Sequence, residues 1–162
     1  MKFLFLLIRT LIYASLVFFL WSFVARATMK IDRHIAVMLP KWTILIGIPV
    51  LLFGILITLI CIYEFLFVGE GTFLHFDAPK HFVAGGVYSI VRNPMYLGVL
   101  IIFIGYALCY HSIALLLLSL LLFLLAHLAV KFIEEPNLSN KFGEDYDAYK
   151  NSVGRWIPKS KK

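Results

Sequence analysis

The chain has 162 residues, of which 62% are hydrophobic, with a mean hydropathy of +0.92 and a net charge of +6. Soluble domains are about 45–50% apolar, and one domain of this length cannot bury so much apolar surface, so lipid must be part of its solvent. The charge lies mostly outside the apolar runs, as expected at anionic headgroups, and no basic patch with interleaved aromatic residues indicates nucleic acid. Cys61 and Cys109 lie inside apolar runs, so neither a disulfide framework nor a metal site is indicated.

The first apolar run extends from Phe3 to Val24. It is long enough for a transmembrane helix, which needs about 20 residues. A signal peptide is the alternative, because residues 1–27 begin with basic residues and end in the cleavage-like Ala25-Arg26-Ala27. The run exceeds the roughly 7–15 apolar residues of a usual signal peptide. We therefore predict a first spanning helix, followed by a basic linker over residues 26–41.

The second apolar run, Thr43 to Val68, predicts another spanning helix. Gly47 and Gly54 lie seven residues apart and predict a smooth strip for close helix packing. We expect Glu64, near the end of the run, at the level of the lipid headgroups rather than inside the protein. Residues 1–68 are thus predicted to form two N-terminal transmembrane helices.

The second half of the chain predicts a helical hairpin. After a polar connection over residues 69–91, Asn93 is a favourable N-cap and a proline follows at the first helical position. A third apolar helix then extends from Pro94 to Tyr110, near the lower length limit for spanning. A tight turn leads to a fourth helix, Ile113 to Ile133, which we expect Pro136 to end.

These patterns predict an all-α, polytopic integral membrane protein with about four transmembrane helices, a C-terminal helical hairpin and a polar tail. With four spans, both termini and the polar connection share one side of the membrane. The positive-inside rule places that side in the cytoplasm, because six basic residues lie in the tail: Lys141, Lys150, Arg155, Lys159, Lys161 and Lys162. The basic linker over residues 26–41 argues for the opposite orientation.

The end of the fourth helix carries ionisable residues, namely His127, Lys131, Glu134 and Glu135. Their spacing predicts one shared face, and ionisable groups at membrane depth are candidates for function. Pairing of Lys131 with Glu135 at the interface is the structural alternative. It is disfavoured because Lys precedes Glu, which is the weaker orientation in a helix. We therefore predict a binding site at this helix end.

Arg92-Asn93-Pro94 marks the start of the third helix, with Gly85-Gly86 before it and Tyr96-x-Gly98 after it. A helix N-terminus binds anions, and an arginine beside it adds a bidentate donor. Gly98 leaves room for close approach by a ligand or by the fourth helix. A ligand carrying both an anion and a cation would fit between this stretch and the two glutamates.

The ordered motifs of residues 69–158 resemble those of the isoprenylcysteine carboxyl methyltransferase and phospholipid methyltransferase superfamily. The matching stretches are Gly85-x-x-Tyr88-x-x-x-Arg92-Asn93-Pro94-x-Tyr96-x-Gly98, Glu134-Glu135-Pro136-x-Leu138, Phe142-Gly143-x-x-Tyr146-x-x-Tyr149 and Val153-x-Arg155-x-Ile157-Pro158. The resemblance implies that residues 69–162 form the catalytic region of a membrane enzyme that uses S-adenosylmethionine. Its acceptor would be a lipid or another lipophilic small molecule that reaches the site from the bilayer.

The resemblance also implies roles for individual residues. The residues expected to act in catalysis are Arg92, Tyr96, Glu135 and Arg155. Those expected to bind the cofactor are Gly86, Tyr88, Arg92, Asn93, Pro94, Tyr96, Gly98, His127, Glu134 and Glu135, and no metal is expected. The carboxyl methyltransferases usually have His at the position of Asn93, so a wider bacterial-type branch is favoured, in an inner membrane with the site facing the cytoplasm.

Two other functions compete with this interpretation. Membrane sterol reductases, which use NADPH, resemble the same superfamily in fold, although a pair of glutamates would repel the 2′-phosphate of NADPH. A non-catalytic scaffold would use the hairpin to pack against a partner. For the tail, Tyr146, Tyr149 and Arg155 predict either a lid that contacts the acceptor headgroup or an amphipathic helix at the interface.

Overall fold

The computed structural model describes residues 2–35, 37–72 and 81–159, and these form a helical protein. The middle of the predicted polar connection, residues 73–80, and the terminal Lys161 and Lys162 lie outside the described residues. The helices are α1 (Lys2–Met29), α2 (Thr43–Phe67), α3 (Pro94–Cys109), α4 (Ile113–Ala129), α5 (Glu135–Phe142) and α6 (Glu144–Ser152). Short 3₁₀ turns at Lys30–His34 and Gly86–Ser89 and a π-helical segment at Val130–Glu134 lie between them.

Three helical runs are long and apolar enough to cross a membrane: Leu4–His34, Thr43–Phe67 and Ile113–Phe142. The fourth apolar helix, α3, has 16 residues and measures about 24 Å at 1.5 Å per residue, against a hydrocarbon core of about 30 Å. No strand occurs within the described part of the chain. The predicted all-α, polytopic membrane fold is therefore confirmed, with three long spans and one shorter apolar helix.

Helices α2 and α3 pack closely because each presents two glycines to the other. A side chain at Gly47 or Gly54 would lie within 2.8 Å of the backbone of α3, and one at Gly105 within 2.5 Å of the backbone of α2. The predicted smooth strip on α2 is thus confirmed. At Gly98 the close neighbour is Thr58 of α2 rather than the fourth helix, so that alternative was wrong, whereas approach by a ligand stays a prediction.

The start of α4 is held by an acidic residue from the first half of the chain. Asp32 accepts hydrogen bonds from the backbone N–H of Ala114, at 2.9 Å, and from the hydroxyl of Ser112. Ser112 in turn caps the helix by accepting from the N–H of Leu115 at 3.0 Å. These bonds satisfy N–H groups that have no partner inside the helix and join the end of α1 to the start of α4.

Pro136 does not end the fourth helix, contrary to the prediction. The helical run continues to Phe142, although a proline removes one N–H donor and crowds the carbonyl one turn back. The π-helical segment Val130–Glu134 precedes it, and this wider turn absorbs the misfit. The wider turn also changes the face on which the charged residues lie: Glu135 is buried, whereas Lys131 is exposed.

Glu64 also departs from its predicted position at the headgroups. Its side chain is buried, and Oε1 accepts the N–H of Val87 at 3.1 Å in the 3₁₀ turn before α3. Gly86 has φ +52° and approaches so closely that a side chain there would overlap the Glu64 carboxylate. The glutamate therefore lies inside the protein because the turn supplies a donor for it.

Candidate active site

The centre of the site is the carboxylate of Glu135, at the start of α5. Arg155 donates to both of its oxygens, from Nε at 2.7 Å and from Nη2 at 2.8 Å. Arg92 Nη2 lies 2.9 Å from the same Oε1. The side chains of Arg92 and Glu135 are only 8% and 6% exposed. Buried charges require such pairing, so Glu135 orients both guanidinium groups.

The polar tail reaches Glu135 because its last turn docks along the start of α3. The backbone N–H of Arg92 donates to the carbonyl of Gly154 at 2.8 Å, within a parallel bridge between Val91 and Gly154. Asn93 precedes α3 as predicted, but its side chain makes no capping bond. It donates to the carbonyl of Arg155 at 3.1 Å instead, which fixes the backbone of the residue that holds Glu135.

Helix α6 packs its aromatic residues against the site. Tyr149 donates its hydroxyl to the carbonyl of Tyr88 at 2.6 Å, and Phe82 packs edge-on against both Tyr146 and Tyr149. Burial, followed by the nearby charge of Glu135, raises the pKa of Tyr146 to about 12, so its hydroxyl stays protonated near neutral pH. Both tyrosines are buried, so this face of α6 packs against the rest of the protein.

Two further polar pairs lie beside the ion pairs. The hydroxyl of Tyr96 donates to Glu134 Oε1, and the indole N–H of Trp156 donates to His127 Nδ1 at 2.9 Å. The Trp156 ring also lies edge-on to Tyr96, with ring centroids 6.4 Å apart. Trp156 thus packs the tail against both α3 and α4. No sequence pattern predicted this role, although Trp156 lies next to the predicted site residue Arg155.

One cavity of about 1280 Å³ joins the charged groups to the membrane-spanning helices. Its polar end is lined by Arg92, Glu134 and Glu135, and its apolar end reaches Trp21 and Phe103. Within the described residues, no cluster of His, Cys, Asp and Glu has the arrangement of a metal site.

The structure brings together most of the predicted site residues. Five of them line the cavity beside Glu135: Tyr88, Arg92, Asn93, Tyr96 and Glu134. Arg155 reaches the cluster through Glu135, and Pro94 is buried at the start of α3. Gly86 and Gly98 instead contact Glu64 and Thr58 of α2, and His127 contacts Trp156. Roles of these residues toward a cofactor stay predictions.

Arg92 has the chemistry needed to hold the carboxylate of an amino-acid-like cofactor. Its Nε and Nη1 atoms are buried and have no hydrogen-bond partner among the residues that the structure describes. A buried donor without a partner costs about 1–3 kcal/mol, and a guanidinium pairs best with a planar anion. Because Glu135 takes Nη2, the two remaining donors are available for a ligand at the polar end of the cavity.

The fold and the site together define an all-α integral membrane protein with a charged site that opens into an apolar intramembrane cavity. A family model described as phospholipid methyltransferase matches residues 42–145. Since this match covers more than half of the chain, the protein belongs to the phospholipid methyltransferase family. It is therefore a membrane methyltransferase, and the methyltransferases of this family act on lipids. No curated protein and no solved structure matches the chain.

Proposed function

We propose that the protein transfers a methyl group from S-adenosylmethionine to a lipophilic acceptor resident in the membrane. The observation that carries this proposal is the single cavity that joins Arg92 and Glu134 to the apolar surfaces of α1 and α3. Its volume exceeds the roughly 300–1,000 Å³ of an ordinary small-molecule pocket. There is room for a polar cofactor at one end and an apolar acceptor at the other.

The residues at the polar end fit the cofactor. Arg92 would hold its carboxylate through Nε and Nη1, while Glu135 keeps the guanidinium in place. Glu134 would attract its ammonium group, and the rings of Tyr88 and Tyr96 would face its sulfonium through cation–π attraction. When bound, S-adenosylmethionine supplies the electrophilic methyl group, and the protein contributes orientation and exclusion of water.

The remaining chemistry depends on the acceptor. A carboxylate acceptor needs no base, whereas an amine or a thiol must lose a proton before or during methyl transfer. We also propose that the polar end of the cavity faces the cytoplasm, because S-adenosylmethionine is a soluble cytosolic metabolite.

Calorimetric titration of the detergent-solubilised protein tests the cofactor. We expect S-adenosylmethionine and its demethylated product to bind and NADPH not to bind. Binding of NADPH alone would support the reductase alternative, and binding of neither would support the scaffold. Transfer of a radiolabelled methyl group to membrane lipid extract, measured with Arg92→Ala as the inactive control, then tests the reaction itself.

A further inference from the structure

Glu64 is a buried carboxylate that the ion pairs of the site do not use. The residue is 8% exposed, and its Oε1 accepts the backbone N–H of Val87 at 3.1 Å. Its Oε2 is buried and has no hydrogen-bond partner among the residues that the structure describes. A buried charge is costly unless a charge of opposite sign lies nearby. The carboxylate therefore lacks a counter-charge that a cationic ligand can supply.

The basic residues around the cavity do not supply this counter-charge. Arg92 and Arg155 both pair with Glu135, and within the described part of the chain no ion pair joins either of them to Glu64. Lys141 also lines the cavity, but it is exposed, so solvent screens its charge. The negative charge of Glu64 thus remains available to a cation bound in the cavity.

Glu64 lies next to Tyr88, a residue that lines the cavity. Val87, whose N–H bonds to Glu64, directly precedes Tyr88 in the chain. Phe65, which follows Glu64, packs against the Tyr88 ring with centroids 5.4 Å apart. Burial raises the pKa of Tyr88, and the neighbouring Cys61 and Glu64 raise it further. The charge of Glu64 therefore acts on the cavity wall although its own side chain does not line the cavity.

We propose that Glu64 sets the preference of the site for a cationic sulfur over a neutral one, acting across Tyr88 without touching the ligand. The cofactor sulfur is a sulfonium in S-adenosylmethionine and a neutral thioether in the demethylated product. A fixed negative charge beside the ring that faces this sulfur stabilises the sulfonium and not the thioether. This inference rests on the proposed function, because the two ligands are the methyl donor and the product of that reaction.

The ratio of the affinities for the two ligands measures this preference. Calorimetry on the detergent-solubilised protein gives the dissociation constants of S-adenosylmethionine and of its demethylated product, and effects common to both ligands cancel in their ratio. Glu64→Gln keeps an oxygen for the N–H of Val87 but removes the charge. We expect this variant to shift the ratio toward the product by at least about threefold, with little change in the affinity for the product itself.

Further variants separate the charge of Glu64 from its support of the turn. Glu64→Asp retains the charge but is too short for the bond to Val87, so it should lower the thermal stability and keep the ratio. Glu64→Met removes both the charge and the bond, and should shift the ratio as Glu64→Gln does. Glu144→Gln removes an exposed carboxylate at the start of α6 and should leave the ratio unchanged, because solvent screens that charge.

An unchanged ratio in the folded fraction of Glu64→Gln or of Glu64→Met would overturn the proposal and leave Glu64 as a structural support of the turn. An equal shift in Glu144→Gln would overturn it as well, because the effect would then follow from net charge alone. Failure of the proposed function looks different: the parent protein itself would bind neither ligand. Binding of both ligands with a ratio that does not respond to Glu64 would preserve the proposed function and refute only the role of Glu64.

Discussion

Arg155 donates to both carboxylate oxygens of Glu135, at 2.7 and 2.8 Å, across 20 residues of chain. Glu135 belongs to the helical run that crosses the membrane, whereas Arg155 belongs to the polar tail beyond α6. The family match ends at residue 145, so the partner that completes the central ion pair lies outside it. The tail is therefore part of the site and not only a surface appendage.

Replacing Glu135 with Gln should weaken binding of S-adenosylmethionine. The change removes charge-assisted hydrogen bonds, each contributing about 1.5–3 kcal/mol, and frees Arg92 and Arg155 from their orientation. The expected loss of affinity is about tenfold to a hundredfold, measured by calorimetry. Lys131→Gln is the control, because Lys131 is exposed on the same helical run. Near-normal affinity in Glu135→Gln would place the cofactor elsewhere.

Arg92→Lys separates a cofactor-binding role from a structural one. Lysine preserves the charge that pairs with Glu135 but lacks the planar fork with Nε and Nη1. We expect a loss of affinity for S-adenosylmethionine of at least about tenfold, with a smaller change in thermal unfolding than in Glu135→Gln. Equal damage to folding in both variants, with affinity retained in the folded fraction, would show that Arg92 only supports Glu135.

Gly86→Ala should destabilise the turn that precedes α3. A side chain at Gly86 would overlap the carboxylate of Glu64, and φ at this position is +52°. The combined strain and displacement of Glu64 should cost about 1–3 kcal/mol, measured by thermal unfolding in detergent. Gly85→Ala is the matched control, since a side chain there meets nothing within 4 Å. Equal stability of the two variants would contradict the close contact with Glu64.

Asp32→Ala should lower stability without affecting cofactor affinity. It removes the acceptor for the N–H of Ala114 at the start of α4, and loss of such a capping bond costs about 0.5–2 kcal/mol. The site around Glu135 lies at the other end of the helical run, so binding by the folded protein should be unchanged. Lys30→Ala, at an exposed neighbouring position, is the control. A loss of affinity without a loss of stability would contradict the assignment of Asp32 to the cap.

Labelling of single cysteines tests the orientation in the membrane. Ser89 is exposed beside the site, and Trp42 is 60% exposed at the opposite end of α2. With a cytoplasmic site, Ser89→Cys should react with an impermeant thiol reagent only after cells are opened, whereas Trp42→Cys should react in intact cells. The parent protein, which retains Cys61 and Cys109, is the background. The reverse pattern would place the site on the outer side.

The sequence by itself determined the class of fold and the location of the helices. Membrane spans follow from the length of the apolar runs, and the start of α3 follows from Asn93 and Pro94. The strip of Gly47 and Gly54 predicted close packing because helix periodicity fixes which residues share a face. Arg92, Tyr96 and the glutamate pair were found because ionisable groups next to apolar runs are conspicuous.

The partners of those groups were decided only by the tertiary structure. Glu64 was expected at the headgroups but lies inside, where the turn of residue 87 offers an N–H. Pro136 was expected to end a helix that continues through a π-helical segment. Gly98 contacts α2, and Asp32 caps α4, which begins far along the chain at Ile113. Local patterns carry helix length and periodicity, whereas the pairing of buried charges and donors depends on contacts between segments far apart in the chain.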